Sequence, residues 1–244
     1  MTGKIDYEKL DRYNMHIIKL ENLLKSVELS GTYEEFRLTP CLMLFNFIDL
    51  LRSVSILDNY HMVVSGKIII RSMFEILIDF LYCETDRKNL YQRFGEYQDV
   101  NRVLLYNSLT EELQSKVNRD DYNNITLPNY ERFRKKYNIQ NKKQLNNWSG
   151  LSLYKRVKSV SEIVPEIMDI YFNIYKVNCG YAHTYADTLC EYTSLNNRRL
   201  NLSYEKKYKK NEFILINNID SLANIFYENF KTSYSKKKLA DINF

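Results

Sequence analysis

A short segment near residue 180 combines the side chains of this chain that are best suited to chemistry. Lys176 and His183 are seven positions apart, which places them two turns along one face of a helix. Tyr171, Tyr175 and Asn178 fall along one side of the same helix. The pattern brings together a cation, an amide and an imidazole that ordinarily titrates near neutral pH. A structural histidine held by hydrogen bonds is the alternative that this spacing leaves open.

A second polar pattern runs along a predicted helix at residues 61–84. Lys67, Arg71, Glu75 and Asp79 recur every four residues and therefore form one stripe. Most of their neighbours are apolar, which is typical of a helix buried in a bundle, where an unpaired charge is costly. The stripe is either a ladder of salt bridges at the bundle surface or a polar seam that lines a site. If Arg71 is a buried partner of an acid, its loss should cost about 3–5 kcal/mol.

Three further residues are candidates for binding. Trp148 is the single tryptophan, and it either anchors the polar segment 118–152 to the bundle or stacks on a base. Arg93 and Tyr97 are four positions apart on a predicted helix. The simplest role for Arg93 is an ion pair with an acid such as Glu96 or one on a neighbouring helix.

Several common motifs are missing. The sequence has no P-loop, no dinucleotide-binding glycine motif after a strand, no nucleophile elbow and no H-E-x-x-H. Its three histidines are dispersed, so neither a metal site nor a cofactor is predicted. Four scattered cysteines are interpreted as reduced, mostly buried thiols of an intracellular protein; they are Cys41, Cys83, Cys179 and Cys190.

The spacing of apolar residues predicts an all-α fold. Only 6 Gly and 3 Pro occur in 244 residues, too few for the closely spaced turns of a sandwich or barrel. We expect one helical domain over residues 1–244, with Gly31 ending the first helix and Thr39-Pro40 starting the second. The predicted helices span residues 5–30, 40–59, 61–84, 86–117, 153–160, 163–183 and 212–230.

Three polar stretches interrupt this pattern. Residues 118–152 form a candidate cap or insertion with one short charged helix, and residues 194–210 are expected to be a connector. Residues 231–244 have the composition of a basic, flexible tail. The predicted architecture is a helical bundle with a polar insertion between its central helices.

Charge is distributed unevenly along the chain. Residues 1–120 carry a net charge of −3, whereas residues 121–244 carry +8, of the total +5. A basic half could attract a polyanion, although a solvated surface is the simpler explanation. The N-terminus lacks the apolar run of a signal peptide, and charged residues interrupt both of the most apolar stretches. These features predict a soluble cytoplasmic protein without a membrane partner.

A set of short motifs resembles a widespread bacterial helical family of unknown function. The motifs are Arg71-x-x-x-Glu75, then Arg93-Phe94-x-x-Tyr97, then Trp148, and finally Tyr171-x-x-x-Tyr175 leading to His183. Their layout over about residues 40–190 also looks like the HEPN superfamily. These are helical bundles that include ribonucleases of toxin–antitoxin and antiphage systems.

The resemblance implies a metal-independent RNase acting in antiphage defence or as a toxin. His183 matches the HEPN histidine and Asn178 the usual polar residue, but Lys176 stands where an arginine is usual, and a point charge does not replace a forked guanidinium. Arg71 could supply that guanidinium from another helix. The implied partners are RNA, a second copy in a homodimer, and a cognate antitoxin or defence protein. Two alternatives remain open: a non-catalytic binding or regulatory module, and a small-ligand or nucleotide sensor.

Overall fold

The computed structural model of the chain describes residues 6–27, 35–183, 193–196, 199–202 and 213–234. These residues are predominantly helical, as predicted. The N-terminal half begins with four long helices. They are α1 (Tyr7–Lys25), α2 (Glu35–Asn59), α3 (Val63–Thr85) and α4 (Arg87–Ser108).

The polar segment that follows α4 is built from short helical pieces. The α-helical pieces are α5 (Glu111–Ser115), α6 (Arg119–Asp121) and α7 (Leu127–Lys136). A π-helical turn, Tyr122–Thr126, joins α6 to α7, and Lys142–Leu145 forms a 3₁₀ turn. Phe133, Ile139, Leu145 and Trp148 all join the main hydrophobic core. Segment 118–152 is therefore packed onto the bundle through its own apolar residues.

The rest of the described chain returns to the bundle. It contains α8 (Leu153–Val160), α9 (Ile167–Ile170), a π-helical turn (Tyr171–Lys176), α10 (Val177–Ala182) and α11 (Ile214–Tyr234). Strands β1 (Thr193–Asn196) and β2 (Arg199–Leu202) pair antiparallel, with Thr193 opposite Leu202.

The core is centred on α3, which packs against α2, α8, α10 and α11. The rings of Phe80 and Phe226 stack with centroids 4.7 Å apart, and Phe47 lies 4.9 Å from Phe226. All three side chains are fully buried, and each such burial stabilises the fold by about 1.5–3 kcal/mol. Because α3 is surrounded on several sides, the polar stripe that it carries must also meet other helices.

Helix α2 contains the one segment among the described residues that is long and apolar enough to cross a membrane, Leu38–Asn59. Half of its most apolar window is buried against the rest of the protein. Leu44, Phe47 and Leu51 are fully buried there. Contacts in the bundle core therefore account for the buried half of this segment, whereas Leu42, Phe45 and Ile56 on its other face are exposed.

Several predicted boundaries were wrong. Helix α2 begins at Glu35, so Pro40 lies inside the helix and Thr39 does not cap it; a proline there removes one backbone hydrogen bond, which the packed helix tolerates. The predicted connector 194–210 contains β1 and β2, whose sequences show no clear alternation. Helix α11 extends to Tyr234, so residues 231–234 are not a tail. Gly31, Cys190 and residues 235–244 lie outside the described residues.

Candidate functional site

The polar stripe of α3 faces neighbouring helices and forms what we call the α3 seam: Lys67, Arg71, Glu75 and Asp79 with Arg156, Tyr175 and Tyr181. Its middle is a ring of three side chains. Arg71 forms an ion pair of 3.0 Å with Glu75, one turn along α3. Tyr175 donates a hydrogen bond of 3.0 Å to Glu75, and Arg71 Nη2 lies 3.4 Å from the Tyr175 hydroxyl. The ring therefore links α3 to the π-helical turn.

This ring is partly open to solvent. The side chains of Arg71 and Glu75 are 25% and 41% exposed. The hydrogen bond with Tyr175 raises the pKa of Arg71, and burial raises the pKa of Tyr175. At neutral pH the ring thus holds a charged guanidinium and a neutral phenol beside the carboxyl group of Glu75. The expected loss of several kcal/mol of stability on removal of Arg71 applied only to a buried arginine. Arg71 is not deeply buried, so that loss is not expected.

One end of the seam is closed by a more buried ion pair. Arg156 of α8 pairs with Asp79 of α3, and only 7% of Arg156 is exposed. Burial lowers the pKa of Arg156, whereas the nearby Glu75 and Tyr175 oppose this effect. Sequence reasoning missed Arg156, since it lies in a short basic run. The sequence feature that could have identified Arg156 is its position beside Val157 and Val160, on the buried face of α8.

The other end of the seam contains a buried lysine. Lys67 is 2% exposed, and its Nζ donates a hydrogen bond of 2.6 Å to the Tyr181 hydroxyl of α10. The same ammonium lies 4.0 Å from the centre of the Tyr181 ring. Burial lowers the pKa of Lys67 to about 8. Tyr181 was the other member of the seam that the sequence pattern did not single out.

The interhelical contacts show that the stripe is more than a ladder of salt bridges at the surface of α3. A surface ladder within α3 accounts only for the Arg71–Glu75 pair, because Lys67 and Asp79 have partners on α10 and α8. The stripe is therefore a polar seam between helices.

His183 ends α10 and is exposed, and Lys176, two turns earlier, is exposed as well. The Lys176 ammonium lies 5.6 Å from the centre of the Tyr171 ring. Tyr171 and Tyr175 stack with centroids 5.5 Å apart, at the π-helical turn. Such turns are rare and occur often at functional sites.

Asn178 behaves differently from its two exposed neighbours. It is 1% exposed, and its Nδ2 has no hydrogen-bond partner among the described residues. A buried amide without a partner costs about 1–3 kcal/mol. Asn178 therefore lies on the buried side of α10, whereas Lys176 and His183 lie on the solvent side.

A second cluster brings Arg93 and Tyr97 of α4 close to Trp148. It does not contain the ion pair that the sequence predicted for Arg93. The Tyr97 hydroxyl donates to the carbonyl of Leu145, and Arg93 Nε donates to the carbonyl of Trp148 over 2.8 Å. Trp148 is 5% exposed and belongs to the main hydrophobic core, a position that suits an anchor of segment 118–152. Arg93 has no ion pair with Glu96, which instead binds Lys136. The expected pairing of Arg93 was thus wrong.

The described residues contain no group of three or more His, Cys, Asp or Glu side chains that could hold a metal ion. This finding concerns only that part of the chain.

Comparison with known proteins places the chain in a family. It belongs to the family of unknown function DUF5677, whose model matches residues 38–200. That range begins within α2 and ends within β2, and it contains the whole α3 seam, Arg93, Trp148 and His183. Neither the search of curated proteins nor the search of solved structures returned a match.

Proposed function

We propose that this protein is a metal-independent, HEPN-type endoribonuclease that acts on single-stranded RNA in the bacterial cytoplasm. The observation that carries the proposal is the exposure of Lys176 and His183, which flank α10. An exposed imidazole can exchange a proton with a bound substrate, whereas a structural histidine is normally buried. From the resemblance to antiphage and toxin ribonucleases we also propose a role in defence. The same resemblance implies a homodimer and a cognate antitoxin or defence partner.

The proposed reaction uses the RNA's own nucleophile. The ribose 2′-hydroxyl attacks the adjacent phosphorus, the bond to the 5′-oxygen breaks, and a 2′,3′-cyclic phosphate forms. His183 removes the proton from the 2′-hydroxyl or returns one to the departing 5′-oxygen. Lys176 stabilises the charge that develops on the phosphate oxygens. No step requires a metal ion, because the nucleophile is already held next to the phosphorus.

Arg71 has a smaller place in this mechanism than the sequence suggested. Its Nη2 is engaged by Glu75 and Tyr175, so it would have to leave this ring to hold a phosphate. We therefore assign Arg71, Glu75 and Tyr175 to positioning α10 against α3. Asn178 packs on the same side.

The test is cleavage of labelled single-stranded RNA in EDTA. His183→Ala should lower the rate at least about 100-fold, since general acid–base catalysis contributes roughly 10²–10⁴-fold. Lys176→Ala should lower it less, and Lys158→Ala, which removes an exposed lysine of α8, should leave it unchanged. A 2′-deoxy substitution at the cleaved position should abolish the reaction. Cleavage that is equal in the wild type and His183→Ala would overturn the proposal.

Two alternative functions predict other results in the same assay. A non-catalytic binding module, favoured by the engagement of Arg71, would retain RNA on a filter without cutting it. A small-ligand sensor is favoured by a groove of about 550 Å³ between the end of α4 and the segment 117–126. Its walls include the stacked rings of Tyr106 and Tyr122, 4.0 Å apart. A sensor would show a rise in Tm with a small molecule and no effect of RNA.

A further inference from the structure

The guanidinium of Arg93 is surrounded mainly by aromatic rings. It lies 4.8 Å from the centre of the Tyr137 ring and 6.0 Å from that of Phe133. The phenol of Tyr82 is close enough for the positive charge to oppose the effect of burial on its pKa. One of the five N–H groups, on Nε, donates to the carbonyl of Trp148. We call this region the Arg93 site: Arg93, Tyr82, Phe133, Tyr137, Trp148 and Gly150.

No carboxylate neutralises this guanidinium among the residues that the structure describes. Glu96 is one turn away on α4, but its oxygens accept from Lys136 over 2.7 Å and from the Tyr137 hydroxyl over 2.9 Å. Burial lowers the pKa of Arg93, and the groups that oppose this effect are the phenols of Tyr137 and Tyr82, not a carboxylate. Arg93 is thus a half-buried cation that has lost part of its hydration without gaining a counter-ion.

The two Nη groups of Arg93 remain available. Neither donates a hydrogen bond to any described residue, and neither is fully shielded from solvent. A guanidinium fork matches two oxygens of a phosphate or carboxylate, and such a charge-assisted pair is about twice as strong as a neutral hydrogen bond. The chemistry that would compensate the partly desolvated charge is therefore an oxyanion.

Gly150 lets the guanidinium of Arg93 pack closely against the backbone of the Trp148 loop. A Cβ atom at position 150 would lie 3.0 Å from Arg93 Nη2, closer than side chains normally pack. The backbone φ of Gly150 is also +71°, a conformation that glycine adopts without strain. Both observations explain why glycine is suited to this position, where the guanidinium meets the backbone.

We infer that Arg93, packed against Gly150 and the Tyr137 ring, binds an oxyanion of a ligand through Nη1 and Nη2. The ligand class is a phosphate-bearing molecule, and a carboxylate is the other source of the same chemistry. The inference does not depend on the proposed ribonuclease activity, because it uses none of its catalytic residues.

The single tryptophan provides a direct readout. Trp148 accepts the hydrogen bond from Arg93 through its carbonyl, so a change at the guanidinium should alter its fluorescence. We would titrate the full chain with inorganic phosphate at constant ionic strength, balanced by chloride, and repeat the titration with acetate. A saturable change with phosphate is expected. A stronger response to acetate would assign the site to carboxylates instead.

Variants make the result specific. Arg93→Met should abolish the saturable change, and Arg93→Lys, which keeps the charge but loses the fork, should weaken it at least about tenfold. The matched control is Arg102→Met, because Arg102 is also on α4 but is paired with Asp99 over 2.9 Å. Should Arg93→Met fail to fold by circular dichroism, Arg93→Lys decides the question.

Two outcomes would overturn the inference. The first is a wild-type protein whose fluorescence responds to phosphate no more than to chloride, which would leave Arg93 as a clamp for the Trp148 loop. The second is an unchanged response in both Arg93 variants. Binding of phosphate should persist in His183→Ala, so the failure of this inference can be distinguished from the failure of the ribonuclease proposal.

Discussion

Two arginines lie close to Trp148, and their surroundings differ. The guanidinium of Arg156 lies 6.0 Å from the Trp148 ring and forms an ion pair with Asp79. Arg93 binds the Trp148 carbonyl and has no carboxylate among the described residues. Arg156 is the more buried of the two, and it is also the one with a counter-ion.

The two arginines differ in role: one charge stabilises the fold, and the other is available to bind an anion. A buried ion pair holds two helices in register, and its energy is realised only while both partners are present. A half-buried cation without a partner contributes little to the fold and can accept an external anion. Substitutions in the α3 seam or in the Arg93 site should therefore have unequal effects, and the largest is expected at the buried ion pair.

Removing Asp79 should have the largest effect. Asp79→Ala leaves Arg156 as a buried charge without its partner, which should lower the free energy of unfolding by about 3 kcal/mol. The double variant Asp79→Leu, Arg156→Met should recover most of this loss, because it removes both charges. Urea unfolding of the three proteins measures the difference. An Asp79→Ala variant as stable as the wild type would show that the charge of Arg156 does not need the Asp79 carboxylate to neutralise it.

Lys67 should give the seam a pH dependence. Its pKa is about 8 in the folded protein, compared with 10.5 for a lysine in water, the value expected for the unfolded chain. Between these values the unfolded state binds more protons, so the contribution of Lys67 to stability rises with pH. Below pH 8 the lysine is charged in both states, and its contribution no longer changes.

The measurement compares the wild type with Lys67→Met in urea. The difference in their free energies of unfolding should rise by roughly 2 kcal/mol between about pH 7.5 and 9.5. Taking the difference removes the contribution of thiols such as Cys41, whose pKa burial raises to about 11. A difference that stays constant over this range would contradict the effect of burial on Lys67.

Gly150 tests the Arg93 site from the backbone. Gly150→Ala should lower the free energy of unfolding by about 1–2 kcal/mol, since its φ of +71° is unfavourable for alanine. The added Cβ should also displace the guanidinium of Arg93 and weaken phosphate binding. Thermal unfolding followed by Trp148 fluorescence measures the first effect. As a control, Gly95 is a partly exposed glycine of α4 without a positive φ, so Gly95→Ala should not lower the free energy of unfolding.

Arg71 should give the smallest effect. Arg71→Ala removes a partly exposed pair within α3, which should cost about 1 kcal/mol or less. This value replaces the roughly 3–5 kcal/mol expected if Arg71 were buried. A loss as large as that of Asp79→Ala would show that the Arg71 ring contributes as much to the packing of α3 as the Arg156 pair does.

The outcomes for individual residues show how far sequence reasoning reached. The interval of four residues correctly placed Lys67, Arg71, Glu75 and Asp79 on one stripe, because helical geometry alone sets that pattern. The same reasoning failed for Arg93, since the nearest acid along the helix is Glu96 and its use by Lys136 depends on another element. The partner of Asp79 could not be found either, because Arg156 lies on a helix far along the chain.

The sequence alone determined that this protein is mainly helical, and it determined which side chains share a helical face. Those properties follow from local backbone geometry and the burial of apolar residues. The tertiary structure decided which of the charged groups are neutralised, which tyrosines meet them, and that His183 is exposed while Asn178 is buried. These facts depend on contacts between helices that are distant in the chain, and on how much water each contact removes from a charge.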